Sequence, residues 1–151
     1  MKVVANCDGG ARGNPGPAGI GVTIREPGGE VLAEISEAIG PATNNVAEYT
    51  AVLRALERAA ELGATEVLVR TDSKLLVEQL SGNYRVKNPT LQRLHAEVRA
   101  SARPFDRVWY EHVPRERNRR ADALVNLAID AWMVQDRDES PPEDPEQEHL
   151  F

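Results

Sequence analysis

The chain has 151 residues, of which 41% are hydrophobic and 28% are charged. These values predict one soluble globular domain with a core of its own. No apolar run approaches the ~20 residues that a membrane-spanning helix needs, which excludes a protein of that kind. The single cysteine, Cys7, excludes an internal disulfide and a cysteine-based zinc site. We therefore expect a cytoplasmic protein with no membrane partner.

The net charge of −6 comes entirely from the end of the chain. Residues 136–151 hold seven acidic residues and one basic residue, which leaves 17 of each in residues 1–135. A segment rich in Asp, Glu and Pro buries too little apolar surface to offset the entropy of ordering. We predict a folded domain over residues 1–135 and, over residues 136–151, a disordered acidic tail or truncated linker.

The first predicted element is a buried strand that begins at Lys2 and ends near Asp8. Its apolar run is followed by a glycine-rich stretch over residues 9–16, which predicts a turn-rich loop. Open α/β sheets bind ligands where a central strand leaves the sheet. Asp8 is therefore either a carboxylate at such a site or an ordinary turn residue.

Two further strands are predicted over residues 19–24 and 31–39, and the short turn between them requires an antiparallel pair. After a break at Gly40 and Pro41, residues 43–45 (Thr-Asn-Asn) supply the predicted capping side chains of a helix that stops at Gly63. Glu48 is expected in the first turn of this helix. Its core-facing stripe is predicted to contain Tyr49, Leu53, Leu56 and Ala60.

The second half of the chain predicts two more strands and three helices. A strand over residues 66–71 is followed by Asp72, and a right-handed crossover makes this strand parallel to the first. Asp72 is then expected at the same sheet edge as Asp8. Beyond it we predict helices over residues 73–80 and 89–102, a strand with His112 over residues 107–113, and a final helix with Asp122 near its start.

Four carboxylates are thus predicted at the ends of elements, namely Asp8, Glu48, Asp72 and Asp122. Clustered carboxylates repel one another and raise each other's pKa unless cations neutralise them. Oxygen ligands without a cysteine or histidine cluster favour Mg²⁺ or Mn²⁺ over zinc. Two such ions that share a carboxylate suit an in-line displacement at phosphorus. The pattern alone leaves a structural explanation open, because acidic residues are common in the first turns of helices.

Four separated motifs resemble those of the ribonuclease H family. They are residues 8–16 (DGGARGNPG), 43–48 (TNNVAE), 71–73 (TDS) and 118–124 (NRRADAL), and His112 lies ten residues before Asp122. The likeness extends from about Lys2 to Trp132. It implies an α/β, three-layer ribonuclease H-like fold with helices on both faces of a five-stranded mixed sheet, in the order 3-2-1-4-5 with strand 2 antiparallel.

The resemblance also implies that residues 1–135 form a catalytic domain, an endonuclease that hydrolyses the RNA strand of RNA–DNA hybrids. Its products would carry 5′-phosphate and 3′-hydroxyl ends. Asp8 would bridge two Mg²⁺ ions, with Mn²⁺ as a substitute, and Asp122 would face the nucleophile. Glu48 and Asp72 would complete the leaving-group side, and His112 would aid proton transfer or product release.

Substrate contacts are implied by the same motifs. The backbone of residues 9–12 and Asn14 would face the 2′-hydroxyl groups of the RNA, which separate RNA from DNA. Asn44 and Asn45 would read the minor groove, and Thr43 would hold a DNA phosphate. The full set of implied substrate-binding residues is Gly9, Gly10, Ala11, Arg12, Asn14, Thr43, Asn44, Asn45, Lys74 and Asn118.

Two features depart from the commonest family pattern. Lys74 stands where glutamine is frequent, and residues 81–88 replace a basic helical protrusion. The chain is therefore similar to the compact branch of the family, in which double-stranded RNA stays open as a second partner. No obligate protein partner is evident. Candidate phosphate contacts are Arg85, Lys87, Arg115, Arg117, Arg119 and Arg120.

Two other functions compete with this hypothesis. One is another nuclease on the same scaffold, such as a resolvase-like enzyme, and the glycine-rich stretch and residues 43–45 argue against it because they fit hybrid contacts. The other is a nucleic-acid-binding module without activity, which a missing carboxylate would have supported. All four carboxylates are present.

Overall fold

The computed structural model describes residues 1–139 and shows one five-stranded sheet with helices on both faces. The strands are β1 (Lys2–Ala11), β2 (Gly16–Arg25), β3 (Val31–Ala42), β4 (Glu66–Thr71) and β5 (Arg107–His112). The helices are α1 (Asn44–Glu61), α2 (Lys74–Leu80), α3 (Pro89–Ala102) and α4 (Arg119–Glu139), and a short 3-10 helix lies at Arg115–Arg117. Within this part of the chain, every helix is too short or too polar to cross a membrane.

The sheet has the predicted strand order, β3-β2-β1-β4-β5. β2 runs antiparallel to both β1 and β3, because only tight turns connect these strands. β4 runs parallel to β1 and β5, since α1 and α3 provide the crossovers that parallel strands require. The predicted ribonuclease H-like fold class is confirmed.

β1 is longer than the sequence predicts. Its parallel pairing with β4 stops at the pair Asn6 and Arg70, but its antiparallel pairing with β2 continues to Ala11. The first half of the glycine-rich stretch is therefore strand rather than loop. Asp8 lies inside β1, at a point where β1 no longer pairs with β4 but still pairs with β2.

The two faces of the sheet are covered by different helices. α1 and α3 pack on one face, over a core that includes Val3, Ile20 and Val67. α4 packs on the other face, where it lies against β2 and β3. The buried residues of α4 are the predicted Ala121, Leu124, Val125, Ala128 and Ile129, while Trp132 is half-buried.

Two details of α1 differ from the prediction. The Thr43 hydroxyl caps the helix by accepting a hydrogen bond from the amide of Val46 at 3.2 Å. Because the helix therefore begins at Asn44, Glu48 lies in its second turn, not in the first. In the predicted stripe, Ala60 is exposed and the neighbouring Ala59 is buried instead.

The end of α4 bears on the predicted boundary between domain and tail. The helix continues through residue 135 to Glu139, so the boundary predicted at residue 135 falls inside a helix. The predicted boundary and the predicted disorder of the tail stay predictions. Residues 140–151, the rest of the predicted tail, lie outside the described residues.

Candidate active site

A glycine on β1 allows α1 to approach Asp8. A Cβ on Gly9 would overlap the carbonyl group of Ala47 and come within 2.6 Å of the amide nitrogen of Glu48. The backbone of α1 therefore packs directly on β1, which only glycine permits at this distance. This contact brings Glu48 beside Asp8, although the two residues are far apart in the sequence.

A second glycine, on β2, performs the same function for α4 on the opposite face of the sheet. Gly21 is paired with Asp8 across the two strands, and a Cβ there would overlap the carbonyl oxygen of Ala121. α4 therefore lies against the backbone of β2 at this point. The next residue of the helix, Asp122, is consequently held near Asp8.

The fourth carboxylate arrives through the parallel strand. Asp72 directly follows β4, which runs parallel to β1, so that the two chains leave the sheet in the same direction. Thr71 is buried and its hydroxyl accepts a hydrogen bond from the amide of Ser73 at 3.2 Å. The hydroxyl of Ser73 in turn caps α2 by accepting from the amide of Leu76. These bonds fix the turn that carries Asp72.

All four predicted carboxylates line one open cavity of about 390 Å³. The cavity also includes the backbone of residues 9–12 and the side chains of Asn44 and Arg115. Its remaining described lining comes from α4, namely Val125, Asn126 and Ile129. The structure thus brings together the carboxylates that the sequence placed at separate element ends.

Electrostatic repulsion within the cluster is visible in two pKa values. Burial, together with the neighbouring carboxylates Asp72, Asp122 and Glu48, raises the pKa of Asp8 to about 8. Burial and the charge of Asp72 raise the pKa of Glu48 to about 7, although a hydrogen bond with Ser73 opposes the shift. The four carboxylates therefore tend to bind protons, or to bind cations in place of the protons.

The donor set fits hard divalent cations. The ionisable groups that face Asp8 and Glu48 are carboxylates, and oxygen ligands of this kind suit Mg²⁺ or Mn²⁺. Among the side chains that the structure describes, however, no three acidic, histidine or cysteine groups are close enough to hold an ion by themselves. An open site of this type needs water or substrate oxygens to complete the coordination, as Mg²⁺ sites commonly do.

Arg115 occupies the position at the cavity for which the sequence favoured His112. His112 is the last residue of β5; its side chain is exposed and is not among the described residues that line the cavity. The 3-10 helix that follows turns Arg115 back toward the carboxylates, with its Nη2 atom 4.0 Å from Oδ1 of Asp122. The sequence analysis had counted Arg115 only as a phosphate contact.

Two asparagines join the glycine-rich stretch to the start of α1. Oδ1 of Asn44 accepts a hydrogen bond from the amide of Ala11 at 2.8 Å, and Oδ1 of Asn14 accepts from the amide of Asn44 at 3.1 Å. Both carbonyl oxygens are therefore used within the protein. The Nδ2 groups are left as donors that face outward from exposed side chains.

A second cavity, of about 310 Å³, lies beside the first one at the start of α1. Three of its residues, Asn14, Thr43 and Asn45, were predicted to bind substrate. The others come from α1 and from the start of α3, and they include Asn88, whose Oδ1 caps α3 at the amides of Thr90 and Leu91. The sequence analysis missed Asn88; the Asn-Pro pair that starts a helix is the signal that could have found it.

Several other predicted contacts have partners inside the protein. The guanidinium of Arg12 pairs with Asp130 at 2.6 Å and donates to Asn126 at 3.2 Å. Arg120 donates two hydrogen bonds to Glu34, at 2.8 and 2.9 Å, which lower the pKa of that carboxyl. Arg120 is thus paired with a carboxylate, and its role as a phosphate contact stays a prediction.

The remaining predicted residues differ in exposure. Asn118 is only 2% exposed and makes its side-chain hydrogen bonds inside the protein, which argues against a direct contact with substrate. Lys74 is exposed at the first position of α2 and is absent from the described lining of both cavities. Among the predicted phosphate contacts, Arg85, Lys87, Arg117 and Arg119 are exposed.

Comparison with known proteins identifies the family. A family model described as "Reverse transcriptase-like" matches residues 6–128. The crystal structure of RNase H1 from the halophilic archaeon Halobacterium salinarum is 44% identical, with a TM-score of 0.85 over 87% of this chain and 99% of that one. The chain belongs to the ribonuclease H family.

Two more ribonuclease H relatives are informative. LC11-RNase H1 in complex with RNA/DNA hybrid is 48% identical, with a TM-score of 0.84 over 87% of this chain and 99% of that chain. The bifunctional protein Rv2228c of Mycobacterium tuberculosis is 54% identical over 132 residues, which are 87% of this chain. The chain spans only 36% of the length of that relative.

The connection between α2 and α3 is short. α2 ends at Leu80 and α3 begins at Pro89, and the eight residues between them contain no helix. Gly82 has a positive φ of 85° in this connection, a conformation that glycine adopts without strain. The structure therefore contains a short loop where the sequence analysis noted the missing protrusion.

Proposed function

We propose that the chain is an endonuclease that hydrolyses the RNA strand of RNA–DNA hybrids and leaves 5′-phosphate and 3′-hydroxyl ends. The observation that carries this proposal is the shared cavity in which four carboxylates meet Arg115, Asn44 and the backbone of residues 9–12. The similarity to LC11-RNase H1, whose structure contains an RNA/DNA hybrid, supports the choice of substrate.

Asp8, Glu48, Asp72 and Asp122 would hold two Mg²⁺ ions, for which Mn²⁺ can substitute. Asp8 is the best candidate for the shared ligand, because all three other carboxylates raise its pKa and so must lie around it. When bound, the ions lower the pKa of the attacking water and stabilise the charge on the departing 3′ oxygen.

Arg115, rather than His112, would act beside the carboxylates, and its role would be to bind phosphate. Its guanidinium reaches the cavity next to Asp122, and it is the positive side chain nearest to that carboxylate among the ion pairs of the described residues. A guanidinium binds phosphate oxygens in a planar, often bidentate manner. We therefore assign Arg115 to the scissile phosphate and leave His112 as a surface residue at the end of β5.

RNA would be recognised by Asn44 at the active-site cavity and by Asn14 at the second cavity. Asn44 and Asn14 keep their Nδ2 donors outward because their carbonyl oxygens are bound by backbone amides. Such donors match 2′-hydroxyl oxygens and the acceptors of the minor groove, which any base pair offers. Recognition would therefore depend on the sugar and the shape of the duplex, without reading the base sequence.

The DNA strand would contact the second cavity. Thr43 and Asn88 stand at the N-termini of α1 and α3, where the positive ends of the helix dipoles favour an anion. Both helix starts line the same cavity, together with the exposed amide of Asn45. A DNA phosphate at this position would set the register of the hybrid on the protein, and the exposed arginines and lysines near residues 85–87 and 117–119 would add unspecific affinity.

The experiment that tests the function is a cleavage assay on three duplexes of one sequence: RNA–DNA hybrid, double-stranded RNA and DNA. With Mg²⁺ we expect cleavage of the RNA strand in the hybrid, no cleavage of the DNA duplex, and loss of activity with chelator. Cleavage of DNA would favour a resolvase-like enzyme. Binding of the hybrid without any cleavage would favour a module that only binds nucleic acid. Cleavage of double-stranded RNA would extend the substrate class.

We also propose a cytoplasmic location for the protein.

A further inference from the structure

A buried pair of amide side chains joins β1 to the segment that precedes α4. Asn118 is 2% exposed and Asn6 is 6% exposed. Nδ2 of Asn6 donates to Oδ1 of Asn118 at 3.1 Å, and Nδ2 of Asn118 donates to the carbonyl oxygen of Cys7 at 2.9 Å. Both ends of the Asn118 amide are therefore bound to β1, immediately before Asp8.

The backbone of Asn118 makes two further connections. Its amide donates to the carbonyl oxygen of Arg115 at 2.9 Å, and its carbonyl oxygen accepts from the amide of Asp122 at 3.1 Å. One residue thus contacts the strand that carries Asp8, the turn that carries Arg115 and the first turn of the helix that carries Asp122. These three groups all line the active-site cavity.

We infer that Asn118 is a positioning residue: it fixes Asp122 and Arg115 relative to Asp8 and does not contact the substrate. This inference rests on the proposed function for its effect on catalysis, but not for its effect on structure. Truncation of the side chain would leave the carbonyl of Cys7 and the amide of Asn6 buried without partners. The segment from Arg115 to Asp122 would then lose its fixed position on β1.

A mutation that displaces the catalytic groups has a different kinetic effect from a mutation that removes a contact with the substrate. Groups that hold metal ligands or reacting groups in place typically change rate or metal affinity by about 10- to 100-fold when they are mutated. We therefore expect Asn118→Ala to lower kcat by about 10- to 100-fold with KM within about twofold of the wild-type value. A residue that binds substrate in its ground state would instead raise KM and leave kcat unchanged.

Two measurements follow the position of the segment without catalysis. Hydrogen exchange at the amide of Asp122 should become faster in Asn118→Ala. This amide donates to the backbone carbonyl of residue 118, and the variant no longer holds that residue on β1. Calorimetric titration with Mn²⁺ alone should show a weaker affinity, by about tenfold. Asn6→Ala, which removes only the donor to Oδ1 of Asn118, should produce smaller changes of the same sign in all three measurements.

The chain offers two matched controls. Thr23 is paired with Asn6 across β1 and β2, is buried, and has a hydroxyl without a partner among residues 1–139. Thr23→Val should leave kcat, exchange at Asp122 and Mn²⁺ affinity unchanged. Val67→Ala, in the core on the opposite face, supplies a variant with a general loss of stability.

The inference is overturned if Asn118→Ala raises KM with kcat unchanged, or if it matches Val67→Ala in kcat, exchange and Mn²⁺ affinity. If Asn118→Ala does not fold, the same comparison between Asn6→Ala and Thr23→Val decides the question. Failure of the proposed function is separate: wild-type protein would then not cleave hybrid at all, and the exchange and Mn²⁺ measurements would still decide whether Asn118 positions Asp122.

Discussion

Asp8 on β1 is paired directly with Gly21 on β2, and this pairing determines how the active site is assembled. Because Gly21 has no side chain, the backbone of α4 can rest on β2 beside Asp8. Gly9 allows the same approach by α1 on the other face. Two helices on opposite faces of the sheet can therefore deliver Glu48 and Asp122 to one strand position.

The Gly21 contact predicts a specific sensitivity to a single methyl group. In Gly21→Ala the new Cβ would overlap the carbonyl oxygen of Ala121, so α4 must move away from β2. We expect a loss of stability of about 1–3 kcal/mol and a large loss of cleavage activity. Urea denaturation and hybrid cleavage measure the two effects.

Gly28→Ala is the matched control for this prediction. A Cβ on Gly28 would meet nothing within 4 Å, and its change in stability should stay within about 0.5 kcal/mol. Equal stability and activity of the two variants would show that α4 does not need the close contact.

Asp8→Asn should abolish cleavage without unfolding the protein. It removes the carboxylate around which the other three are arranged, while keeping the shape of the side chain. It also relieves repulsion, so the thermal midpoint of the metal-free variant near pH 8 should exceed that of wild type. Wild-type turnover by Asp8→Asn with Mg²⁺ as the only metal would contradict the proposed role of Asp8.

The raised carboxyl pKa values predict a dependence of stability on pH. The pKa of Asp8 is raised to about 8 and that of Glu48 to about 7, whereas unfolded carboxyls titrate near pH 4. Between these values the folded site holds protons that the unfolded chain has released. The free energy of unfolding of the metal-free protein should therefore decrease as the pH rises from about 4 to about 8.

Thermal melts in a chelator across this range test the dependence, with Asp8→Asn as the comparison. The variant should lose stability less steeply with pH. Mg²⁺ should stabilise wild type more near pH 8 than near pH 5, because it competes with protons for the same carboxylates. A metal-free midpoint that rises toward pH 8 in wild type and variant alike would contradict this description of the site.

Arg115 and His112 should differ in their contribution to rate. Arg115→Ala removes the guanidinium beside Asp122, and the loss of one group that stabilises charge in a transition state costs about 10²-fold or more in kcat. His112→Ala should cost less, because His112 is exposed and lies outside the described cavity lining. Single-turnover rates on hybrid give the comparison.

Arg103→Ala serves as the control for this pair, since Arg103 is an exposed arginine at the end of α3, outside the described cavity lining. A larger loss of rate for His112→Ala than for Arg115→Ala would restore the role that the sequence analysis gave to His112.

The sequence predicted the strand order and the four carboxylates because these depend on local signals and family motifs. It misplaced Glu48 by one helical turn, since the helix that Thr43 caps begins at Asn44 and Glu48 therefore lies in the second turn. Spacing along the chain favoured His112, but the 3-10 helix reverses the direction of the backbone and brings Arg115 to the cavity instead. The residue types at positions 115–117 did not predict this 3-10 helix.

Burial was the other property that the sequence did not reveal. The family resemblance implied that Asn118 binds substrate, and its neighbours in the sequence are four arginines and a glutamate, which give no sign that its side chain is buried. Its amide is inside the protein because Asn6 and Cys7 on β1 supply matching partners that are more than 100 residues away. Likewise, Gly9 and Gly21 were placed on strands or loops, while their contacts with α1 and α4 depend on tertiary packing alone.

The most direct test of the proposed function uses one hybrid with its RNA strand labelled at the 5′ end. In a second version of this hybrid, about four ribonucleotides around the main cleavage position are replaced by deoxyribonucleotides, which removes the 2′-hydroxyl groups that separate RNA from DNA. We expect Mg²⁺-dependent cleavage of the first duplex, with a 3′-hydroxyl on the labelled fragment, and no cleavage within the replaced segment of the second. Equal cleavage of both versions at that position, or cleavage of the DNA strand, would contradict the proposal.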